Sequence, residues 1–100
     1  MVKHVIIWTL KPEFTPEEKR AAAEKIKSSL EGLMGKIDGM TSVKVNIDLL
    51  PSSTGDVMLD TEFTDENALK AYQVHPDHVY AANTYVRPVT ADRKCVDYQC

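Results

Sequence analysis

The chain has 100 residues, 43% of them hydrophobic and 27% charged, and a net charge of −3. That length fits one domain spanning residues 1–100, and the composition excludes disorder, while the scattered lysines and arginines exclude a nucleic-acid stripe. No run approaches the roughly 18 apolar residues of a membrane span, and the opening is too short in apolar residues for a secretion signal, so a cytoplasmic protein is expected.

Residues 2–10 read as a strand, with Val2, His4, Ile6, Trp8 and Leu10 on one side and Lys3, Val5, Ile7 and Thr9 on the other. Both sides are apolar enough to be covered. Thr15-Pro16-Glu17-Glu18 then supplies an N-cap threonine, a proline at the first helical position and the glutamate of a capping box. The helix that follows carries Ala22, Ala23, Ile26, Leu30, Leu33, Met34 and Ile37 at three- and four-residue spacings, which predicts that it runs to near Gly39.

Thr41 to Leu49 alternates as a second strand with Val43, Val45, Ile47 and Leu49 inward. After the turn at Pro51 to Gly55, a third strand from Asp56 to Phe63 has Val57, Leu59, Thr61 and Phe63 in phase. Thr64 is expected to cap a short helix with Ala68, Leu69 and Tyr72 on its inner stripe. Proline disfavours a helical residue before it, so His75-Pro76 breaks this helix, and a second short one carries Val79, Ala82 and Val86 inward. Ala91 to Gln99 closes the chain as a fourth strand, with Arg93, Cys95, Asp97 and Gln99 on one side and Lys94, Val96 and Tyr98 on the other. Cys95 reads as a small buried apolar residue, and the spacing to Cys100 does not allow the two to bridge.

The order β-α-β-β-α-β is that of a ferredoxin-like α+β fold with a four-stranded antiparallel sheet. Both helices then cover one face of the sheet. The other face carries Val5, Ile7, Thr9, Met58, Val96 and Tyr98, too apolar a patch for a monomer to expose. A homodimer through the free sheet face, forming a dimeric α/β barrel, is the expected assembly.

The chemistry-bearing stretch is Tyr72-Gln73-Val74-His75-Pro76-Asp77-His78, which holds a phenol and two of the three histidines. With His75 as N-cap and His78 in the first turn, the helix dipole disfavours imidazolium and keeps His78 available as a base. Tyr72 can donate its phenolic hydrogen to a carbonyl oxygen. Ile6, Trp8, Val57 and Leu59 give an apolar lining, which suits a partly apolar ligand. A metal held by His75 and His78 is disfavoured, because a residue before proline is turned out of the helix and the rings need not converge. No cofactor is required.

The opening Val-Lys-His-Val-Ile-Ile-Trp-Thr-Leu-Lys, the segment Tyr-Gln-Val-His-Pro-Asp-His-Val and the closing Val-Asp-Tyr together resemble the stress-responsive A/B barrel domain family over essentially the whole chain. The resemblance implies a dimeric ferredoxin-like barrel. A few plant relatives of that family are polyketide cyclases, in which the catalytic pair maps onto Tyr72 and His78, a cavity-lining histidine onto His4, and an aspartate supporting the catalytic histidine onto Asp97. This chain has Val57 where those cyclases can carry another histidine, and Ala22 and Ala23 where bulky aromatics would narrow the cavity. Two functions fit: a small-molecule-binding barrel with cyclase-like acid/base chemistry, or a non-enzymatic dimeric protein whose core is filled.

Overall fold

The computed structural model describes residues 1–100. Strand β1 (Val2–Leu10) leads to helix α1 (Pro16–Glu31), then strands β2 (Met40–Asn46) and β3 (Val57–Phe63), helices α2 (Glu66–Val74) and α3 (Pro76–Ala81), and strand β4 (Thr90–Gln99). All pairings are antiparallel, in the order β2-β3-β1-β4. The expected ferredoxin-like topology is therefore present. Val2, His4, Ile6, Trp8 and Leu10 of β1 are buried towards the helices, and Val57, Leu59, Thr61 and Phe63 of β3 join them from the next strand.

Capping is as read at the start of α1: Glu18 N–H donates to Thr15 Oγ1 at 3.1 Å, and Thr15 N–H donates to the Glu18 carboxylate at 2.9 Å. The other end differs. Helix α1 stops at Glu31, because Gly32 caps it and Gly35 adopts a positive φ, so the chain goes through turns in place of another helical turn. Leu33 and Ile37 still reach the core from those turns, whereas Met34, which a continued helix would have buried, is 48% exposed. Lys27 and Glu31 tie this helix to the edge of the sheet: Lys27 Nζ donates to the Val45 carbonyl at 2.7 Å and Val45 N–H donates to Glu31 at 2.9 Å. Those contacts satisfy backbone groups that an edge strand leaves open.

Asp65, not Thr64, caps α2, its carboxylate accepting from Ala68 N–H at 2.8 Å. Thr64 N–H is instead engaged by the Gly39 carbonyl at 2.9 Å. Gly39 has φ +82°, and a Cβ there would lie 2.5 Å from Ala68 Cβ. Gly39→Ala is thus expected to destabilise the domain by about 1–3 kcal/mol in urea unfolding. An unchanged midpoint would show that this junction can relax.

The helices cover the sheet unevenly. Helix α1 lies against β2, α2 against β1, β2 and β3, and α3 against α1, while β4 packs mainly on β1. All of β4 from Ala91 onward is therefore exposed, on both sides. This corrects the expected burial of Cys95: alternation gives it the helix side of the sheet, but no helix reaches over it. Val79 is likewise exposed rather than inward, and Ala81 takes the buried position of α3.

Candidate functional site

Two local features create the site. The first is the joint at His75, which is at once the C-cap of α2 and the N-cap of α3, with φ −66° and ψ 133°. Pro76 fixes this extended conformation, and His75 Nδ1 accepts from Asp77 N–H at 3.1 Å. The His75 ring is thus spent on the backbone. The bend turns α3 back so that the His78 ring lies 4.1 Å, centroid to centroid, from the ring of Tyr72. The second feature is a single π turn, Ala82–Val86, closed by Arg87 N–H donating to the Ala82 carbonyl at 2.9 Å. Such wide turns are frequent at functional sites, and here Ala82, Val86 and Arg87 all line the cavity.

That cavity, about 390 Å³, lies between the helix side of β1 and the helices. His4, Ile6, Trp8 and Leu59 of the sheet meet Tyr72 and His78 of the helices, and Gln73, Thr90, Arg87 and Arg93 complete the polar part of its wall. Tyr72 is held between Phe63, at 5.0 Å between ring centroids, and His78, with the His4 ring edge-on at 6.1 Å. A larger depression of about 570 Å³ between α1 and α3 is lined by Lys25, Lys36, Asp77 and Tyr80 among others. It holds no buried polar atom left without a partner, so the smaller cavity is the better candidate.

One buried polar atom in the smaller cavity has no partner in the protein. It is His78 Nδ1, and Tyr72 stands beside it on the same wall. Burial lowers the His78 pKa below its ordinary 6.5; the Gln73 carbonyl opposes this, and the charges of His4, Arg87 and Arg93 reinforce it. Desolvation, more than the dipole of a six-residue helix, therefore keeps this ring neutral. Burial also raises the Tyr72 pKa, with Arg93 acting weakly the other way, so the phenol remains a proton donor. A neutral acceptor and a protonated donor stand ring to ring.

A histidine that charges less readily when folded binds fewer protons than the unfolded chain below pH 6.5. Its contribution is complete above that value and is lost as pH falls through the lower native pKa. Thermal melts between about pH 7 and pH 5 should thus show a steeper loss of stability for the wild type than for His78→Ala. Parallel curves would mean that His78 titrates alike in the folded and unfolded chain.

Asp97 does not support His78. Antiparallel pairing sets His4 directly opposite Asp97, and His4 Nδ1 lies 2.5 Å from Asp97 Oδ1. An ionised carboxylate only accepts, so Nδ1 of His4 is the donor in this bond. Asp97 is thereby a positioning residue for His4 and is not itself on the cavity wall. Val57 is also corrected: it faces the helix side, but it is fully buried beside Trp8 and does not reach the cavity. Cys95 Sγ lies 3.7 Å from the same His4 nitrogen and 3.5 Å from Asp97. A thiol relay needs the carboxylate and the sulfur on opposite ring nitrogens; here both meet Nδ1, and partial desolvation of the otherwise exposed thiol together with Asp97 raises its pKa.

The sequence reading missed Gln73, Thr90, Arg87 and Arg93. For Arg93 the signal was present, since it alternates in phase with Cys95 and Asp97 on the strand that faces His4.

The model of the Dabb family, the stress responsive A/B barrel domain, matches residues 2–100. This chain belongs to that family. The A/B barrel domain is similar to a dimeric protein of unknown function and ferredoxin-like fold from Bacteroides fragilis, at 30% identity over 99% of this chain and 95% of that one, with a TM-score of 0.91. It is also similar to a Dabb family protein with a ferredoxin-like fold from Mesorhizobium loti, at 25% identity over 99% and 95% of the two chains and a TM-score of 0.72. A hydroxynitrile lyase from Passiflora edulis shares the fold at 15% identity, over 97% of this chain and 90% of that one, with a TM-score of 0.76. No curated protein matches the domain in sequence.

Proposed function

We propose that this domain is a cytoplasmic homodimer that binds a small, partly apolar carbonyl or phenolic compound in the cavity between sheet and helices. The observation that carries this is His78 Nδ1, buried without a partner beside the ring of Tyr72 on the wall of a cavity floored by Ile6, Trp8 and Leu59. Buried polar groups are normally paired within the protein, and groups kept unpaired beside open space suit a ligand. Burial keeps His78 neutral and thus able to take a proton, while Tyr72 offers a hydrogen bond to an oxygen on which negative charge develops. Together they suit enolisation or aldol-type ring closure without a cofactor, the chemistry that the resemblance to plant polyketide cyclases implies. That a protein of this fold from Passiflora edulis is a hydroxynitrile lyase is in keeping with the fold as a host for an enzyme. The non-enzymatic alternative needs a filled core at Tyr72 and His78, and the 390 Å³ cavity counts against it.

A thermal-shift screen of small phenols and aromatic ketones tests the reading. Compounds that stabilise the wild type should lose most of that effect on His78→Ala and part of it on Tyr72→Phe, with both variants still folded. Turnover is checked by NMR, as exchange of hydrogens next to the carbonyl of a bound ketone for deuterium. Equal stabilisation of wild type and both variants would remove the site, and exchange that persists in His78→Ala would remove its role as base.

A further inference from the structure

The two arginines of the cavity wall stand out against the rest of the molecule. The chain is acidic overall, yet its cavity lining contains Arg87, Arg93, His4 and His78 and no aspartate or glutamate. None of the ion pairs in the domain involves Arg87 or Arg93. Arg20, in contrast, is held by both Glu24 and Asp48. The two unpaired guanidinium groups come from different elements, Arg87 from the end of the π turn and Arg93 from β4, so they approach one cavity from two sides. Both residues are exposed, which puts them at its solvent end, and their charge is felt inside by His78.

We infer that the ligand of this cavity carries a carboxylate, held at the mouth by Arg87 and Arg93, with its apolar body against Ile6, Trp8 and Leu59. This rests on the ligand-binding reading above and names the substrate class as a small, partly apolar carboxylic acid. The guanidinium fork matches the two oxygens of a carboxylate, and a cavity lined by one sign of charge draws the opposite sign from solution. The carboxylate end is fixed at the entrance. The carbonyl or phenolic end then points inward to Tyr72 and His78.

Isothermal titration of the intact domain with 4-hydroxyphenylacetate and with its amide separates the charge from the body of the ligand. The acid is expected to bind about tenfold or more tightly than the amide, the scale of charge-assisted hydrogen bonds. Arg87→Gln and Arg93→Gln should each reduce that preference and the double variant should abolish it, the loss of affinity falling far more on the acid than on the amide. Added salt should weaken the acid alone. Equal binding of acid and amide by the wild type, or a preference that survives in the double variant, overturns the assignment. If the amide binds and His78→Ala weakens it, the cavity reading stands even when the carboxylate preference is absent; if neither compound binds, both fail.

Discussion

Replacing Ile7 with aspartate is expected to convert the proposed dimer to a folded monomer, and Val5→Asp to do the same. The sheet face away from the helices carries Val5, Ile7 and Thr9 of β1, Met58 of β3, and Val96 and Tyr98 of β4. Cross-strand pairing makes these one patch, with Val5 opposite Val96 and Ile7 opposite Met58. In the single chain, Ile7 is 38%, Tyr98 49% and Val96 60% exposed. Charge is interleaved with the patch: Asp60, paired with Lys3 at 2.9 Å, stands opposite Val5, and Lys94 stands opposite Ile7. Large apolar side chains exposed together on one sheet face suit an interface between copies, in keeping with the dimeric description of the Bacteroides fragilis neighbour. A carboxylate buried there without a partner costs several kcal/mol, so dissociation should rise on the order of 100-fold or more. Light scattering coupled to size-exclusion chromatography reads the outcome. A dimer that survives both substitutions would rule out the face-to-face arrangement.

Phe63→Ala should produce the largest loss of stability in the domain. Phe63 is fully buried at the end of β3, opposite Val2 and Met40 on the two flanking strands, and its ring lies 5.0 Å from that of Tyr72. Removing it leaves a cavity that the surrounding strands cannot close. The expected cost is about 3–5 kcal/mol, a large part of the roughly 5–15 kcal/mol that holds a domain of this size together. The same change withdraws the support behind Tyr72, so ligand protection should fall along with the melting temperature. A loss below about 1 kcal/mol in denaturant unfolding would show that the core repacks around the gap.

Most of the fold was legible because its signals are local. Strict alternation fixed which side of β1 and β3 faces the helices, the capping box fixed the start of α1, and His75-Pro76 fixed the break between α2 and α3. The end of α1 was not legible, since Leu33 and Ile37 keep a helical spacing even though Gly32 and Gly35 have already turned the chain. The site was legible in part. Tyr72 and His78 come together because they flank the break, and His4, Ile6, Trp8 and Leu59 lie on the wall of the same cavity. Asp97 was assigned to the wrong histidine because its partner is chosen by strand register between residues 93 apart in sequence. Alternation states which side of a sheet a residue occupies, but not how far along the strand a cavity extends or whether a helix lies above it. Val57, Cys95 and Arg93 all turned on that distinction.

The claim that Tyr72 and His78 form a ligand site is tested most directly by following the imidazole carbon–proton signals of the three histidines while 4-hydroxyacetophenone, a phenol with a carbonyl, is titrated into the intact domain. The His78 signals should shift saturably and those of His4 to a smaller extent, while His75, whose ring caps the backbone of α3, should stay in place. Shifts of His75 equal to those of His78, or no saturable shift at His78, would contradict it.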